Sequence, residues 1–337
     1  MNSLKKETPK TLQQAIRHFS DEQVCIDTVA ALRWPDGPVC PACEHKEHYY
    51  LKTQKRWKCK ECYKQFTVKL GTIFEDSPIP LDKWLVALWM LVNCKNGVSS
   101  YEISRDLGIT QKSAWFVLQR LRLALQSGSV TKLGGPDSEV EVDETFIGQK
   151  AKNMHKERKL RLIRARNDVQ NYKSQGGPGS LPGKTAVMGM LDRQSRKVRA
   201  SVIPNVKRDT LQAKILNGIE RGSKLYTDTA VAYDKLSQTY AHEMVNHLEG
   251  YVQGRVHTNG LENFWSLLKR SLNGSYVAVE PFHLFRYVDE QVFRYNNRGS
   301  KKEKISDADR FNLALSQIAG KRLTFAEVTG KVTPTPA

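Results

Sequence analysis

Residues 139–147 read Glu-Val-Glu-Val-Asp-Glu-Thr-Phe-Ile. Apolar and polar side chains alternate with a period of two, the pattern of a β-strand with one buried face. Asp143 falls in the middle of that strand, where a carboxylate is costly unless it serves a site. Downstream, 185–191 is a short apolar run and 197–203 alternates again, giving two more strands. Asp209 to Glu220 reads as a helix capped by Asp209, and 223–228 as a strand running into a helix over 229–239. Helices at about 260–271 and 281–296 complete the series. Strands in succession, then a helix, another strand and more helices, define a mixed α/β domain.

An insertion over 148–184 separates the first two strands. It carries ten Lys and Arg against Glu157 and Asp168, and its second half is rich in Gly, Pro and Ser. That concentration favours a phosphate-gripping arm over a solvated loop, with Lys156, Arg158, Lys159, Arg161, Arg164 and Arg166 as its cations. Upstream, 127–138 has linker composition and marks the main boundary. The reading divides the chain into a helical lead-in over 1–36, a metal-binding segment over 37–76, a helical region over 77–130, the α/β domain over 138–300 and a C-terminal helix and tail over 301–337. In the lead-in, Leu12, Ala15, Ile16 and Phe19 share one helical face.

Cys40-Pro-Ala-Cys43 and Cys59-Lys-Glu-Cys62 are 15 residues apart, the spacing of a four-thiolate zinc site. The chain between them can form a hairpin that brings the two knuckles to one ion. Four thiolates leave no open position for water, so this zinc is structural. Cys25 and Cys94 lie outside the spacing and read as packing residues. Lys58, Lys60 and Lys64 beside Trp57, Tyr63 and Phe66 suit contact with a nucleic-acid backbone, a protein-docking surface being the alternative.

Ser99-Ser-Tyr-Glu102 is a capping box, Gly108 a stop, and Thr110 the cap of a second helix from Gln111 to Leu125. The short turn is that of a helix-turn-helix. Gln111, Lys112 and Ser113 then stand where base edges are read. An ordinary helical hairpin shows the same pattern, so the reading leans on the charge of the chain.

That charge is +18, from 53 Lys and Arg against 35 Asp and Glu, more than solubility requires. The apolar run Trp84–Val92 is about half the length of a bilayer span, and six cysteines in 337 residues are not a disulfide scaffold. A cytoplasmic, nucleoid-associated protein with double-stranded DNA as its polyanion, and no membrane partner, is expected. Carboxylates that run against this basic trend then stand out. Phosphodiester chemistry needs oxygen ligands for Mg²⁺ or Mn²⁺ converging from different elements. Asp143 in its strand, Asp228 at a strand end and Glu262 in the helix 259–270 are the candidates. Asn259, Glu262, Ser266 and Lys269 form one polar stripe of that helix, with Leu261, Phe264, Trp265 and Leu268 inward. Glu144 points to the opposite face from Asp143.

Val140-Glu-Val-Asp-Glu-Thr-Phe-Ile-Gly148, Tyr226-Thr-Asp228 and His257-Thr-Asn-Gly-Leu-Glu-Asn-Phe-Trp-Ser-Leu-Leu-Lys-Arg270 resemble the signature segments of bacterial insertion-sequence transposases of the DDE class that carry an N-terminal zinc ribbon. So do Gly274-Ser-Tyr276 and the segment 283–298. The resemblance spans roughly residues 20–300. It implies a ribonuclease H-like fold, with Asp143, Asp228 and a third acidic or amide group binding catalytic Mg²⁺ or Mn²⁺. Glu262 lies 34 residues after Asp228, and Lys269 seven after Glu262, as the resemblance requires. Asn259 is a rival or accessory third group, and Lys269 and Arg270 contact DNA. The implied activity is binding of terminal inverted repeats, strand cleavage and strand transfer, by a homodimer or larger assembly on DNA. A non-catalytic DNA-binding regulator derived from a transposase is the alternative, and a nuclease without strand joining a third.

Overall fold

The computed structural model describes residues 9–126, 131–148, 157, 160, 184–228, 233, 236–245, 257–299 and 303–331, the side chains of Asp228 and Val245 excepted. The basic insertion, with Lys156, Arg158, Lys159, Arg161, Arg164 and Arg166, lies almost wholly outside them. The chain forms two compact units, one of residues 1–127 with 297–337 and one of residues 128–296.

In the first unit, α1 (Leu12–Phe19) and α2 (Glu22–Arg33) are capped by Thr11 and Asp21. A three-stranded antiparallel ribbon follows: β1 (His48–Leu51), β2 (Arg56–Cys59) and β3 (Gln65–Phe66). The apolar run seen in the sequence becomes α3 (Leu81–Asn93), buried along most of its length. A helix apolar all round must be surrounded, and it is the hub of the unit. α4 (Ser100–Leu107) and α5 (Gln111–Ala124) come next, and after the second unit α9 (Asp307–Ser316) and α10 (Phe325–Val328) return. Phe311 of α9 packs on Phe19 and Trp89, with ring centroids 5.4 and 5.3 Å apart. The segment beyond residue 301 is therefore largely part of this core. On α1 only Ala15 and Phe19 of the expected apolar face are buried; Leu12 and Ile16 are exposed.

The second unit is a five-stranded sheet in the order β6-β5-β4-β7-β8. Its strands are β4 (Glu139–Ile147), β5 (Thr185–Asp192), β6 (Val198–Ile203), β7 (Lys224–Asp228) and β8 (Ala241–Val245). β4, β5 and β6 pair antiparallel, whereas β7 and β8 join β4 in parallel. Val140, Val142, Met188 and Met190 pack on one face with Leu211 and Ile215 of α6 (Arg208–Gly218). Val187 and Leu191 pack on the other with α7 (Asn259–Ser271) and α8 (Leu284–Asn296). One expectation is corrected at α6. Lys207, not Asp209, is the N-cap residue of α6 and makes no side-chain capping bond; Asp209 sits in the first turn, where its charge meets the helix dipole. The expected helix over 229–239 lies mostly outside the described residues; Leu236–Gln238 form a 3₁₀ turn, and β8 follows as a strand the alternation did not announce.

Candidate functional sites

Alternation along β4 turns Val140, Val142 and Glu144 toward α6, and Glu139, Glu141 and Asp143 toward α7. Glu144 accepts a hydrogen bond from the hydroxyl of Tyr233, on the far side from Asp143. Asp143 is half-buried. Its Oδ2 accepts from the indole Nε1 of Trp265 at 2.9 Å, and its Oδ1 from the backbone N–H of Glu144 at 2.8 Å.

Asp228 is the last residue of β7. The parallel pairing of β4 and β7 runs from Glu139 opposite Lys224 to Glu141 opposite Tyr226. Two residues further along both strands stand Asp143, in the middle of β4, and Asp228, at the carboxyl end of β7, where parallel sheets place ligands. The helix bearing Glu262 is held to this spot by the Trp265 bond to Asp143. Asn259, Glu262, Lys269 and Arg270 are all exposed on α7, while Leu261, Phe264, Trp265 and Leu268 are buried. The donor set is oxygen-rich and suited to Mg²⁺ or Mn²⁺. The side chain of Asp228 lies outside the described residues.

Glu141, unremarked in the sequence, is 1% exposed on the same face as Asp143. It is satisfied by Arg193 Nε at 2.7 Å and by the backbone N–H of Leu261 at 3.0 Å, which caps the first turn of α7. Arg193 also reaches Glu139 at 3.2 Å and the carbonyl of His257 at 2.5 Å, and lies 4.4 Å over the ring of Tyr226. The alternation that drew attention to Asp143 applies equally to Glu141; its partners come from distant loops and leave no local trace. Removing one partner of a buried pair strands the other charge, at a cost of about 3–5 kcal/mol. Arg193→Ala is therefore expected to lower the melting temperature of this unit by roughly 10 °C by calorimetry, since about 1 kcal/mol shifts a unit of this size by about 2–4 °C.

In the first unit the sulfurs of Cys40, Cys43, Cys59 and Cys62 all lie within 4.8 Å of one another. Cys40–Cys62 and Cys43–Cys59 are 3.6 Å apart, too far for a disulfide near 2 Å but close to the roughly 3.8 Å edge of a tetrahedron with Zn–S bonds of about 2.3 Å. Among the described residues this is the one group of three or more His, Cys, Asp or Glu side chains that can share an ion. Burial opposes the Cys40 thiolate, but N–H groups of Ala42 and Cys43 and the neighbouring thiols outweigh it and bring the pKa down to about 7. The N–H of His45 favours the Cys43 thiolate, but the other three sulfurs push its pKa up to about 12. Four thiolates cannot all be charged at this distance without a cation, and the ribbon fits structural zinc. Trp57 and Phe66, expected to face nucleic acid, are instead buried; Trp57 stacks on Phe66 and meets Trp34 edge-on at 5.4 Å. Tyr63 and Tyr49 are the exposed aromatics, with Lys58 over the first ring and Lys60 over the second. Cys25 is buried and donates to the carbonyl of Phe19, and burial pushes its pKa up to about 12, as befits a packing thiol.

The helical hairpin has the local chemistry its sequence announces. Ser99 and Glu102 form the capping box, Gly108 adopts φ +58° to end α4, and Thr110 caps α5. Lys112 is exposed and lies 4.9 Å over the ring of Phe325; Gln111 and Ser113 are half-buried and bond Ser100 and Thr110. Residues 117–122 of α5 are all buried, so only its first turns can reach a partner.

A mixed five-stranded sheet flanked by helices, behind a four-cysteine ribbon, is the architecture of a DDE transposase domain preceded by a zinc ribbon. Residues 132–296 match the ISXO2-like transposase domain, and residues 20–65 the transposase zinc-ribbon domain. An uncharacterized transposase-like protein of Haemophilus influenzae is 32% identical over 108 residues, covering 32% of this chain and 87% of the relative. The chain belongs to the ISXO2-like family of insertion-sequence transposases. An uncharacterized protein in transposable element ISH50 of Halobacterium salinarum is 25% identical over 303 residues, 87% of this chain and 99% of the relative. A solved chain of the simian T-cell lymphotropic virus intasome in complex with the PP2A regulatory subunit B56 gamma covers 67% of this chain and 74% of its own, at 13% identity and a TM-score of 0.29, too loose a likeness to bear on the argument. Among the described residues no helix is long and apolar enough to cross a membrane.

Proposed function

We propose that the protein binds the terminal inverted repeats of its insertion sequence and carries out metal-dependent cleavage and transfer of DNA strands. The observation that supports this reading is the parallel pairing of β4 with β7: Asp143 and Asp228 each stand two residues beyond the pair Glu141 and Tyr226, and the helix of Glu262 is bonded to Asp143 through Trp265. Asp143, Asp228 and Glu262 hold Mg²⁺ or Mn²⁺, with Asn259, one turn before Glu262, as accessory. Such an ion supplies activation of an attacking hydroxyl, first of water and then of a DNA 3′ end, and stabilisation of the leaving oxygen. Lys269 and Arg270, exposed in the last turn of α7, grip the adjoining phosphates. Lys112, with Gln111 and Ser113, reads the element end from the start of α5. The cations of the insertion clamp flanking or target DNA, and joining two ends calls for at least a dimer.

The test is a labelled duplex carrying the element's own terminal repeat. The full chain is expected to nick it at the repeat boundary in Mg²⁺ and to leave it whole in EDTA. Binding without nicking would favour the regulator; nicking without joining would favour a simple nuclease.

A further inference from the structure

We infer that Trp265 is a positioning residue for Asp143: its indole N–H fixes the plane of the carboxylate and so prepares it for a divalent cation. This rests on the reading of Asp143 as a metal ligand. The bond from Nε1 to Oδ2 is 2.9 Å, and Trp265 is 4% exposed, so its ring is held within the packed core. The N–H of Glu144 donates to Oδ1, so each oxygen accepts at least one hydrogen bond. A carboxylate offers about four lone-pair sites, more than these two bonds occupy.

An indole suits this task because it is a neutral, permanent donor. Arg or Lys in its place would also orient the carboxylate but would cancel the charge the cation needs. Nor does the bond depend on pH once Asp143 is ionised, because the indole does not titrate.

The surroundings are shaped to admit the ring. Gly189 of β5 pairs directly with Asp143, and a Cβ built there would lie 2.7 and 2.8 Å from Cζ2 and Cη2 of the indole and 2.9 Å from Leu261 Cδ2. Only glycine leaves room for the ring at that depth. Further back, a Cβ on Gly260 would lie 2.8 Å from Glu141 Oε2, the atom that caps Leu261. α7 is thus fastened to β4 at two successive inward positions, by Glu141 at its first turn and by Asp143 at Trp265.

The measurement is Mn²⁺ binding to the zinc-loaded full chain, followed by electron paramagnetic resonance, beside thermal melting. Trp265→Phe keeps an aromatic ring but lacks the donor, and is expected to weaken Mn²⁺ binding by about 10- to 100-fold. Gly189→Ala, which keeps the tryptophan but displaces it, is expected to weaken binding in the same direction. Adding Trp265→Phe to Asp143→Asn is expected to cost nothing beyond Asp143→Asn. If the folded Trp265→Phe and Gly189→Ala variants both bind Mn²⁺ as the wild type does, Trp265 is core packing only and the inference is wrong, while Asp143 stands as a ligand. If Asp143→Asn itself leaves Mn²⁺ binding unchanged, the reading of Asp143 fails and this inference falls with it.

Discussion

Asp143→Asn is expected to reduce metal-dependent cleavage of element-end DNA by about 10³-fold or more while leaving the fold and duplex affinity nearly unchanged. The substitution is isosteric and removes one negative charge. An amide oxygen can still accept from Trp265, whereas the amide nitrogen cannot accept from the N–H of Glu144, so the expected cost to stability is that of about one hydrogen bond, roughly 1 kcal/mol. What goes is the charge that attracts and aligns a divalent ion, an effect worth several kcal/mol in the transition state. At about 1.4 kcal/mol per tenfold, a loss of roughly 4 kcal/mol gives the stated factor. Nicking of a labelled duplex, gel-shift affinity and a melting curve on one preparation separate these quantities. A variant that no longer binds DNA or melts far lower would show that Asp143 is structural.

The second large effect is expected at the ribbon. Cys59→Ser removes one of four sulfurs, and the zinc content should fall from about one per chain to well below it. Structural zinc contributes on the order of 10 kcal/mol to the folding of small zinc modules. The ribbon has little else to hold it: three short strands and the cluster of Trp57, Phe66 and Trp34. Loss of metal should therefore expose Trp57, with a red shift of tryptophan fluorescence and loss of near-ultraviolet dichroism, while the second unit keeps its own transition. Chelation of the wild type should reproduce the change, as should acidification, because zinc binding requires the thiolates and releases protons. A variant with full zinc content and unchanged fluorescence would overturn the four-sulfur site.

Much of this was legible in the sequence because the deciding chemistry is local. Capping boxes, the αL glycine at 108 and the two C-x-x-C knuckles act within a few residues. β4 showed as alternation because its two faces differ in chemistry, Val140 and Val142 packing in an apolar cluster while Glu139, Glu141 and Asp143 face the other way. β8 did not, because Ala-His-Glu-Met-Val lacks that rhythm; it pairs with β7 alone, at the edge of the sheet, where His242 bonds Thr227. The cap of α6 was misread because Asp favours both the cap and the first turn, and only the backbone decides between them. Glu141 and Trp265 escaped for another reason. Their partners, Arg193 and Asp143, lie 52 and 122 residues away, and no periodicity encodes such a pairing. The return of α9 to the core of α1 and α3 is likewise a property of the folded chain.

The most direct test of the account is strand joining by the full chain on pre-cleaved element ends with a target duplex and Mg²⁺, run beside Asp228→Asn. Labelled ends covalently joined to target DNA are expected with the wild type and none with the variant. Joined product formed equally by Asp228→Asn, or by the wild type in EDTA, would contradict it.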